Sequence, residues 1–393
     1  MIQILQERDC CGCGACSAVC PQNCITMQEG TLGHLFPHVD QTKCVGCGLC
    51  DRVCPMQVNL KHCDRQTAVA AFAKDAFTRF EGSSGGMFGV FSKKLLANGY
   101  IVYGAAFDED LKLQCMSANT VEELSPLYKS KYLQSDMTGG FKKIKEQLRA
   151  GKKILFVSTP CQVYALKSYL MEDYPNLLTV DFFCHGVPSQ RFFDQCLAEE
   201  EKALGSKILR YGFRAKKKHG ATPHYVALSY EKNGREKNIV DYYFASPFYA
   251  IFQKYIDLRE SCYNCRFAGR DRASDITIGD FHDIDRYIQG VNRFDGVSTV
   301  VLNTPKGYAM WDSCLEYVQA YPMNLEKLIS DGQCFGNGTN RPARRDEFVD
   351  DYNKLEMEAL LRKWVNPNAY RKQRIYYGLP KAIRQKLKKF MGV

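Results

Sequence analysis

Eight cysteines near the N-terminus occur in two runs whose spacing is typical of iron binding. In each run three cysteines stand three positions apart, and a fourth, followed by proline, stands four positions later. The runs are Cys10, Cys13, Cys16, Cys20 and Cys44, Cys47, Cys50, Cys54. Three close thiolates bind three irons of one 4Fe-4S cubane, and the fourth binds the other cubane. The spacing therefore predicts two 4Fe-4S clusters, one held by Cys10, Cys13, Cys16 and Cys54, the other by Cys44, Cys47, Cys50 and Cys20.

Zinc is the alternative interpretation of these runs, because paired C-x-x-C motifs also describe zinc ribbons. A zinc site needs four ligands in two pairs. That requirement does not explain the third cysteine, the fourth cysteine or the proline, each of which occurs twice. We therefore predict that residues 1–62 form a bacterial-type dicluster ferredoxin domain, in which metal replaces a hydrophobic core, and that electrons pass through this protein.

Composition describes an ordinary globular chain with metal-like cysteine usage. The 393 residues exceed one usual core, which predicts two or three domains, and 45% are hydrophobic. The sequence has no N-terminal signal-like segment and no apolar run of roughly 18 residues, the length that spans a bilayer. The 19 cysteines are spaced as for metal rather than disulfides, which suits a reducing cytoplasm. We expect a cytoplasmic protein.

The net charge of +10 is concentrated at the C-terminus. Residues 370–393 contain eight basic residues and no acidic residue, so the rest of the chain is close to neutral. The charge therefore does not predict nucleic-acid binding. Within residues 379–393, apolar residues recur at helical spacing between basic ones, and such a helix could lie on the inner face of an anionic membrane. The alternative is a terminal helix that packs its apolar stripe on the body of the protein.

Beyond the cysteine runs, strands alternate with helices, which favours a mixed or parallel sheet. Strands are predicted at 68–73, 100–107, 154–157 and 177–184, and helices at 87–97, 141–150 and 161–170. Residues 68–190 are thus interpreted as an α/β flavin-binding part, 191–330 as a β-rich C-terminal part with a third cluster site, and 331–393 as a turn-rich stretch and basic extension. The predicted fold class is α+β / α/β, with a dicluster ferredoxin domain fused to a mixed α/β domain.

Four further cysteines stand where chemistry is plausible. Cys161 follows a predicted strand at a turn into a helix, the edge where open α/β sheets bind ligands, and Cys184 ends the next strand. Cys262 and Cys265 form a two-thiol half-site. Together they could hold a third 4Fe-4S cluster. In the alternative, Cys161 and Cys184 are buried small apolar residues, and the other two bind zinc or nothing.

A flavin would connect such clusters to an organic substrate, because it accepts single electrons and delivers a hydride. The turn of Ser83, Ser84, Gly85 and Gly86 could present backbone N–H groups to a phosphate or flavin; the alternative is a simple helix cap. Lys131 and Ser135 could contact phosphates or belong to a solvated loop, and the Thr159 turn is a third candidate. The basic segment 210–218 could bind an anionic substrate or form an exposed hairpin.

Six segments of the chain resemble the coenzyme F420 hydrogenase/dehydrogenase beta-subunit family. They are EGSSGGMFG (81–89), KSKYLQSD (129–136), LFVSTPCQVYALK (155–167), DFFCHGVPS (181–189), CYNCRFAGRDRASDITIGDF (262–281) and GVSTVVLNT (296–304). The resemblance runs from about Phe80 to Thr304. It implies FAD on the α/β part and a 4Fe-4S cluster close to the flavin, held by Cys161, Cys184, Cys262 and Cys265. It further implies that the FAD contacts are Ser83, Ser84, Gly85, Gly86, Lys131, Ser135 and Thr159.

The resemblance also implies a function. Family members pass electrons between iron–sulfur centres and a hydride acceptor, and the fused ferredoxin module suggests a self-contained reductase supplied by ferredoxin or another redox protein. We therefore expect an iron–sulfur flavoprotein oxidoreductase with an organic hydride acceptor. The alternative is a non-catalytic electron-transfer subunit of a larger hydrogenase or dehydrogenase complex; a homo-oligomer is compatible with either. No catalytic acid is identified, and the candidates are His185, His224, Asp280 and His282.

Overall fold

The structure is a computed structural model that describes residues 2–4, 6–60, 63, 65–216, 225–292, 295–336, 338–365 and 383. It contains two compact units. One consists of residues 1–190 and 258–341, and the other of residues 191–257 and 342–393. The predicted dicluster domain and all six segments that carry the family resemblance lie in the first unit.

The regular elements alternate along most of the chain. The strands are β1 (Ile25–Glu29), β2 (Leu35–Val39), β3 (Thr67–Ala73), β4 (Tyr100–Phe107), β5 (Leu113–Ala118), β6 (Lys153–Val157), β7 (Leu177–Phe182), β8 (Ile208–Ala215), β9 (Tyr225–Lys232), β10 (Arg235–Tyr242), β11 (Ile276–Asp280), β12 (Ser298–Leu302) and β13 (Val318–Met323). The helices are α1 (Ala15–Val19), α2 (Leu49–Arg52), α3 (Ala76–Glu81), α4 (Met87–Ala97), α5 (Thr138–Arg149), α6 (Pro160–Leu170), α7 (Gln190–Leu204), α8 (Pro247–Phe252), α9 (Pro305–Asp312), α10 (Leu325–Ser330), α11 (Arg345–Lys354) and α12 (Met357–Trp364).

The N-terminal module is small and has a core made largely of sulfur. Strands β1 and β2 form an antiparallel hairpin with Ile25 opposite Val39, and the short helices α1 and α2 each follow a left-handed glycine. Its buried cluster contains Cys16, Cys24, Cys50 and Cys54 together with two isoleucines. So small an apolar core usually needs a metal centre or another cross-link, and the cysteine runs predict metal here.

An eight-stranded mixed sheet dominates the first unit, in the order β13-β3-β12-β11-β7-β6-β4-β5. Strands β4, β6, β7 and β11 are parallel neighbours, and β3 runs in the same direction because it pairs antiparallel with β12, which pairs antiparallel with β11. The carboxyl ends of five strands therefore meet at one edge. Helix α5 packs on the sheet through Phe141, Ile144 and Leu148, which are spaced three and four positions apart and share a core with residues of β6.

Several predicted elements are confirmed, whereas the predicted β-rich part is divided. Helix α4 and strand β4 have the predicted bounds, and β3, β6 and α6 begin one residue before theirs. Strands β11 and β12 lie within the predicted β-rich part, residues 191–330, but they belong to the large sheet. Long-range pairing decides this, since β11 lies between β7 and β12.

The second unit contains a three-stranded antiparallel sheet, in the order β10-β9-β8, and an aromatic core that includes Phe193, Phe213 and Phe248. The stretch predicted as turn-rich forms two helices, α11 and α12. Phe348 and Trp364 are buried there, with ring centroids 5.2 Å apart. Packing of these few apolar residues outweighs the polar composition that suggested turns.

Within the described ranges, no helix has both the length and the apolar character needed to cross a bilayer. Of the predicted tail helix at 379–393, the structure describes only Ile383, so the predicted membrane contact lies outside the described residues.

Candidate functional site

The first cysteine set of the dicluster module lies together in the fold. Its members are Cys10, Cys13, Cys16 and Cys54. The thiols of Cys10 and Cys54 both act electrostatically on Cys16, and Cys10 also acts on Cys13 and Cys54. Burial, reinforced by these neighbouring thiols, raises the pKa of Cys16 to about 12. The fourth cysteine of the second run is thus beside the first run, in the crossed arrangement that two cubanes require.

The second cysteine set borders an open cavity. Cys20, Cys44, Cys47 and Cys50 all line this cavity, whose volume is about 360 Å³ when the space at its mouth is included. Cys47 is exposed and Cys50 is buried. Burial acts to raise the pKa of Cys20, but hydrogen bonds from Cys24 and from the backbone amides that follow Pro21 outweigh it and lower the pKa below its ordinary value. Donors aimed at a sulfur favour the thiolate, which is the form that binds iron.

The third cysteine set is assembled from three segments of the first unit. The Cys161 thiol acts electrostatically on Cys184, Cys262 and Cys265. Burial, followed by the neighbouring thiol, raises the pKa of Cys262 to about 12 and that of Cys265 to about 11. Burial and the surrounding thiols also raise the pKa of Cys184 well above its ordinary value. Such thiols ionise readily only beside a strong positive centre, and a bound metal supplies one.

None of these sets has the compact form of a site for one ion. Within the described part of the chain, no group of three or more His, Cys, Asp or Glu side chains could hold a single metal ion. Thiolates on one zinc converge at about 2.3 Å from the ion, whereas those of a cubane bind separate irons around a larger core.

Strand ends and a glycine position the third set. Val157 of β6 is opposite Val180 of β7, so Cys161, in the first turn of α6, and Cys184, two residues after β7, lie at neighbouring strand ends. Gly186 has φ 112° and donates its N–H to Cys184 Sγ at 3.4 Å. A Cβ at Gly186 would lie 2.9 Å from Cβ of Cys262. Only glycine allows this backbone and this approach.

The first and third sets are neighbours. The Cys161 thiol acts electrostatically on Cys10, and the neighbouring Cys11 thiol helps to raise the pKa of Cys161. Cys11 and Cys13 share one hydrophobic core with Val163 and other residues of α6. The dicluster module is therefore built into the α/β part of the first unit, rather than joined to it by a free linker.

The predicted flavin turn lies at the carboxyl edge of the sheet, but part of it is occupied by internal contacts. Ser84 Oγ donates to Val297 O at 2.5 Å, and the Gly85 amide donates to Ser298 Oγ at 3.0 Å. The Ser83 and Ser130 hydroxyls are 3.1 Å apart. Ser84 and Gly85 thus fasten the turn to the start of β12, while Gly86 caps α4 with φ 82°.

The remaining predicted flavin contacts lie at the same edge and also have internal partners. Lys131 Nζ donates to two backbone carbonyls at 2.7 Å, and burial, followed by the charge of Lys129, lowers its pKa to about 7. The hydroxyls of Ser135 and Thr159 donate to Gln162 Oε1 at 3.3 and 3.2 Å. The structure brings these residues to the edge where open α/β sheets bind ligands, and their roles toward FAD stay predictions.

The other sequence candidates are scattered. His185 and His282 are exposed, and Asp280 ends β11 opposite Ser298. His224 and the last two residues of the basic segment 210–218 lie outside the described residues. The structure does not assemble these candidates into an acid–base pair.

Sequence reasoning missed three buried charged residues near the third set. Arg272 and Asp181 form an ion pair at 3.4 Å with both side chains 1% exposed, and Arg259 is buried between the first and third sets. Asp181 interrupts the apolar strand β7, and a charge inside a buried strand is a signal that could have identified it. The positions of the two arginines in the sequence carry no comparable signal.

Comparison with known proteins agrees with this architecture. Residues 9–58 match the model of the 4Fe-4S dicluster domain, and residues 151–324 match that of the C terminus of the coenzyme F420 hydrogenase/dehydrogenase beta subunit. A chain of the F420-reducing nickel–iron hydrogenase complex from Methanosarcina barkeri is similar at 19% identity, with a TM-score of 0.45, over 73% of this chain and 90% of that one. No curated protein matches. The chain thus joins a 4Fe-4S dicluster domain to a C-terminal domain of the coenzyme F420 hydrogenase/dehydrogenase beta-subunit family.

Proposed function

We propose that this chain is an iron–sulfur oxidoreductase with three 4Fe-4S clusters and a flavin, which exchanges electrons between a redox protein and an organic hydride acceptor. The clusters would be held by the set of Cys44, the set of Cys10 and the set of Cys161, in that order. When bound, these groups supply one-electron transfer and, at the flavin, conversion to a two-electron hydride step.

The observation that carries the proposal is the proximity of the first and third cysteine sets. Cys10 and Cys161 influence each other electrostatically, and residues of both segments share one core. Cys16, in turn, is influenced by Cys50 of the second set. The proximity of the second set to the first, and of the first to the third, supports a row of three centres, and electron transfer needs centres that are close together.

Burial differs along this row in a way that fits the proposal. Cys47 of the second set is exposed, whereas Cys10 is buried. An exposed end suits exchange with ferredoxin or another redox protein, while the first set is buried and the third set is partly buried. We place this chemistry in the cytoplasm, where thiols remain reduced.

The proposed flavin site is the carboxyl edge of the large sheet, beside the third set. Thr159 supports this location because its hydroxyl lies 3.2 Å from Cys161 Sγ and also contacts Gln162. The turn at Ser83 and the side chain of Lys131 lie at the same edge, joined through Ser130. Lys131, half-buried and with a pKa near neutrality, would present a donor to an anionic group of FAD.

A test combines composition with matched variants. Anaerobically purified protein should contain about 12 iron atoms and one FAD per chain, since three cubanes hold four irons each. Cys184→Ala should lose about four irons, whereas Cys115→Ala, outside the three sets, should lose none. Lys131→Met should reduce FAD content, whereas Lys129→Met should not. About eight irons in the wild type and no flavin would refute the proposal.

A second candidate is an electron-transfer subunit without a substrate of its own. It is favoured by the matched model, which describes a beta subunit of a hydrogenase or dehydrogenase. Purified chain that reduces a small hydride acceptor without a partner would exclude this candidate. Loss of all turnover unless a larger subunit is added would support it.

A further inference from the structure

Arg259 occupies the junction between the first and third cysteine sets. Its backbone contacts the third set, because the Arg259 carbonyl accepts a hydrogen bond from the Cys262 amide at 2.9 Å. Its side chain extends to the first set, where a Cβ on Gly12 would overlap Nη2 of the guanidinium. Gly12 therefore leaves room for the guanidinium directly beside the Cys10 loop.

The guanidinium is buried and only partly satisfied. The residue is 2% exposed, and Nη2 donates to Leu35 O at 3.1 Å. Over the described ranges, Nε and Nη1 are buried without a hydrogen-bond partner. The ring of Phe36 lies 4.9 Å from the guanidinium carbon. A buried cation with two unused donor atoms is costly unless an acceptor or an anion completes its surroundings.

The electrostatic influence of Arg259 on nearby thiols indicates which atoms could accept hydrogen bonds from Nε and Nη1. Burial raises the pKa of Cys10, and the charge of Arg259 is the largest of the influences that lower it. The same charge acts to lower the pKa of Cys161 and Cys262, more weakly than burial and the neighbouring thiols raise it. The positive charge of Arg259 therefore acts on cysteines of both sets, and at Cys10 it is the largest influence that opposes burial.

We propose that Arg259 is a positioning residue that donates hydrogen bonds from Nε and Nη1 to sulfur of the cluster held by the Cys10 set and raises its reduction potential. Reduction adds one electron from an external donor to that cluster, and no bond to Arg259 forms or breaks. The fixed positive charge stabilises the reduced, more negative cluster relative to the oxidised one. Electrons would thereby be drawn from the exposed second set toward the junction with the third. This inference rests on the proposed clusters.

The test is an anaerobic redox titration followed by EPR on full-length wild type, Arg259→Gln, Arg259→Lys and the control Arg266→Gln. Arg266 also contacts the dicluster module, but it donates to the carbonyls of Met56 and Val58. We expect Arg259→Gln to change the reduced-to-oxidised ratio of one cluster at least tenfold, a shift of about 59 mV to lower potential for one electron. Arg259→Lys should shift it less, and the control not at all. The cluster of the second set, identified as the one whose signal Cys44→Ala removes, should keep its potential in Arg259→Gln.

Two results would overturn the inference. One is unchanged potentials in Arg259→Gln protein that retains full iron content. The other comes from the wild type itself and does not depend on folding of a variant: protein labelled with ¹⁵N-arginine should show nitrogen coupling to a reduced cluster by pulsed EPR, and no coupling would exclude the hydrogen bonds. Iron content separates the two proposals, because wild type with about eight irons refutes the third cluster, whereas full iron without a shift refutes only the role of Arg259.

Discussion

An unpaired charge at the buried ion pair of Asp181 and Arg272 should disrupt the third cysteine set. Asp181 lies on β7, which leads to Cys184, and Arg272 follows Cys265, so the pair connects two segments of the set. Thr277 Oγ1 also donates to Asp181 Oδ1 at 2.6 Å. Burial raises the pKa of Asp181, and the charge of Arg272 is the main opposing influence.

The expected loss of stability in the single variants follows from the complete burial of the ion pair. Arg272→Met leaves the Asp181 carboxyl buried without its cation, and removal of one partner of a buried pair costs about 3–5 kcal/mol. Asp181→Leu leaves the cation instead and should cost a similar amount. The double variant replaces both by apolar side chains and should be within about 1 kcal/mol of the wild type, or more stable. We expect the single variants, but not the double variant, to lose iron from the third set.

The assay is anaerobic urea unfolding followed by tryptophan fluorescence in a Trp364→Phe background. The chain has two tryptophans, and Trp311 then reports on the first unit alone. The control is Arg270→Met, which removes an exposed ion pair to Glu326 and should cost about 0–1 kcal/mol. Single-variant effects that simply add in the double variant would refute the reasoning, because they would show no coupling between the two charges.

Three further predictions concern other parts of the molecule. Cys54→Ala should remove about four irons from the first set while the EPR signal of the second set persists; loss of the second signal with the first retained would contradict the crossed arrangement. Gly186→Ala should abolish the third cluster and leave about eight irons, because its Cβ would contact Leu258 and Cys262; full iron content would show that the loop can adapt. Burial raises the pKa of Glu200 from 4.5 to about 7, so its contribution of about 3 kcal/mol is present at low pH and is lost as pH rises through 7. The midpoint of thermal unfolding should therefore depend less on pH between 5 and 8 in Glu200→Gln, and an equal dependence would exclude a raised pKa.

Short-range patterns in the sequence predicted the elements that depend on neighbouring residues. The cysteine spacing predicts cluster ligation directly, because three of the four ligands of each predicted cluster lie within one short segment. Helix α4 and strand β4 were also predictable, since their apolar periodicity and the Asn98-Gly99 stop lie within a few residues of each other. The third cysteine set combined two such local signals, a strand end and a C-x-x-C pair, and the structure brings its members together.

Features that depend on distant partners were not predictable in this way. The place of β12 between β3 and β11 is decided by pairing across more than two hundred residues. For the same reason the hydrogen bonds of Ser84 and Gly85 to the residues at the start of β12 were not predictable. Arg259 has no local pattern, because its significance comes only from Gly12 and Cys10 in a segment far away in the sequence.

The most direct test of the account is the iron and acid-labile sulfide content of anaerobically purified wild type beside Cys184→Ala. The account predicts about 12 irons per chain in the wild type and about eight in the variant. About eight irons in both proteins would contradict it, because the four cysteines of the third set would then hold no cluster and electrons from the dicluster domain would have no third centre to reach.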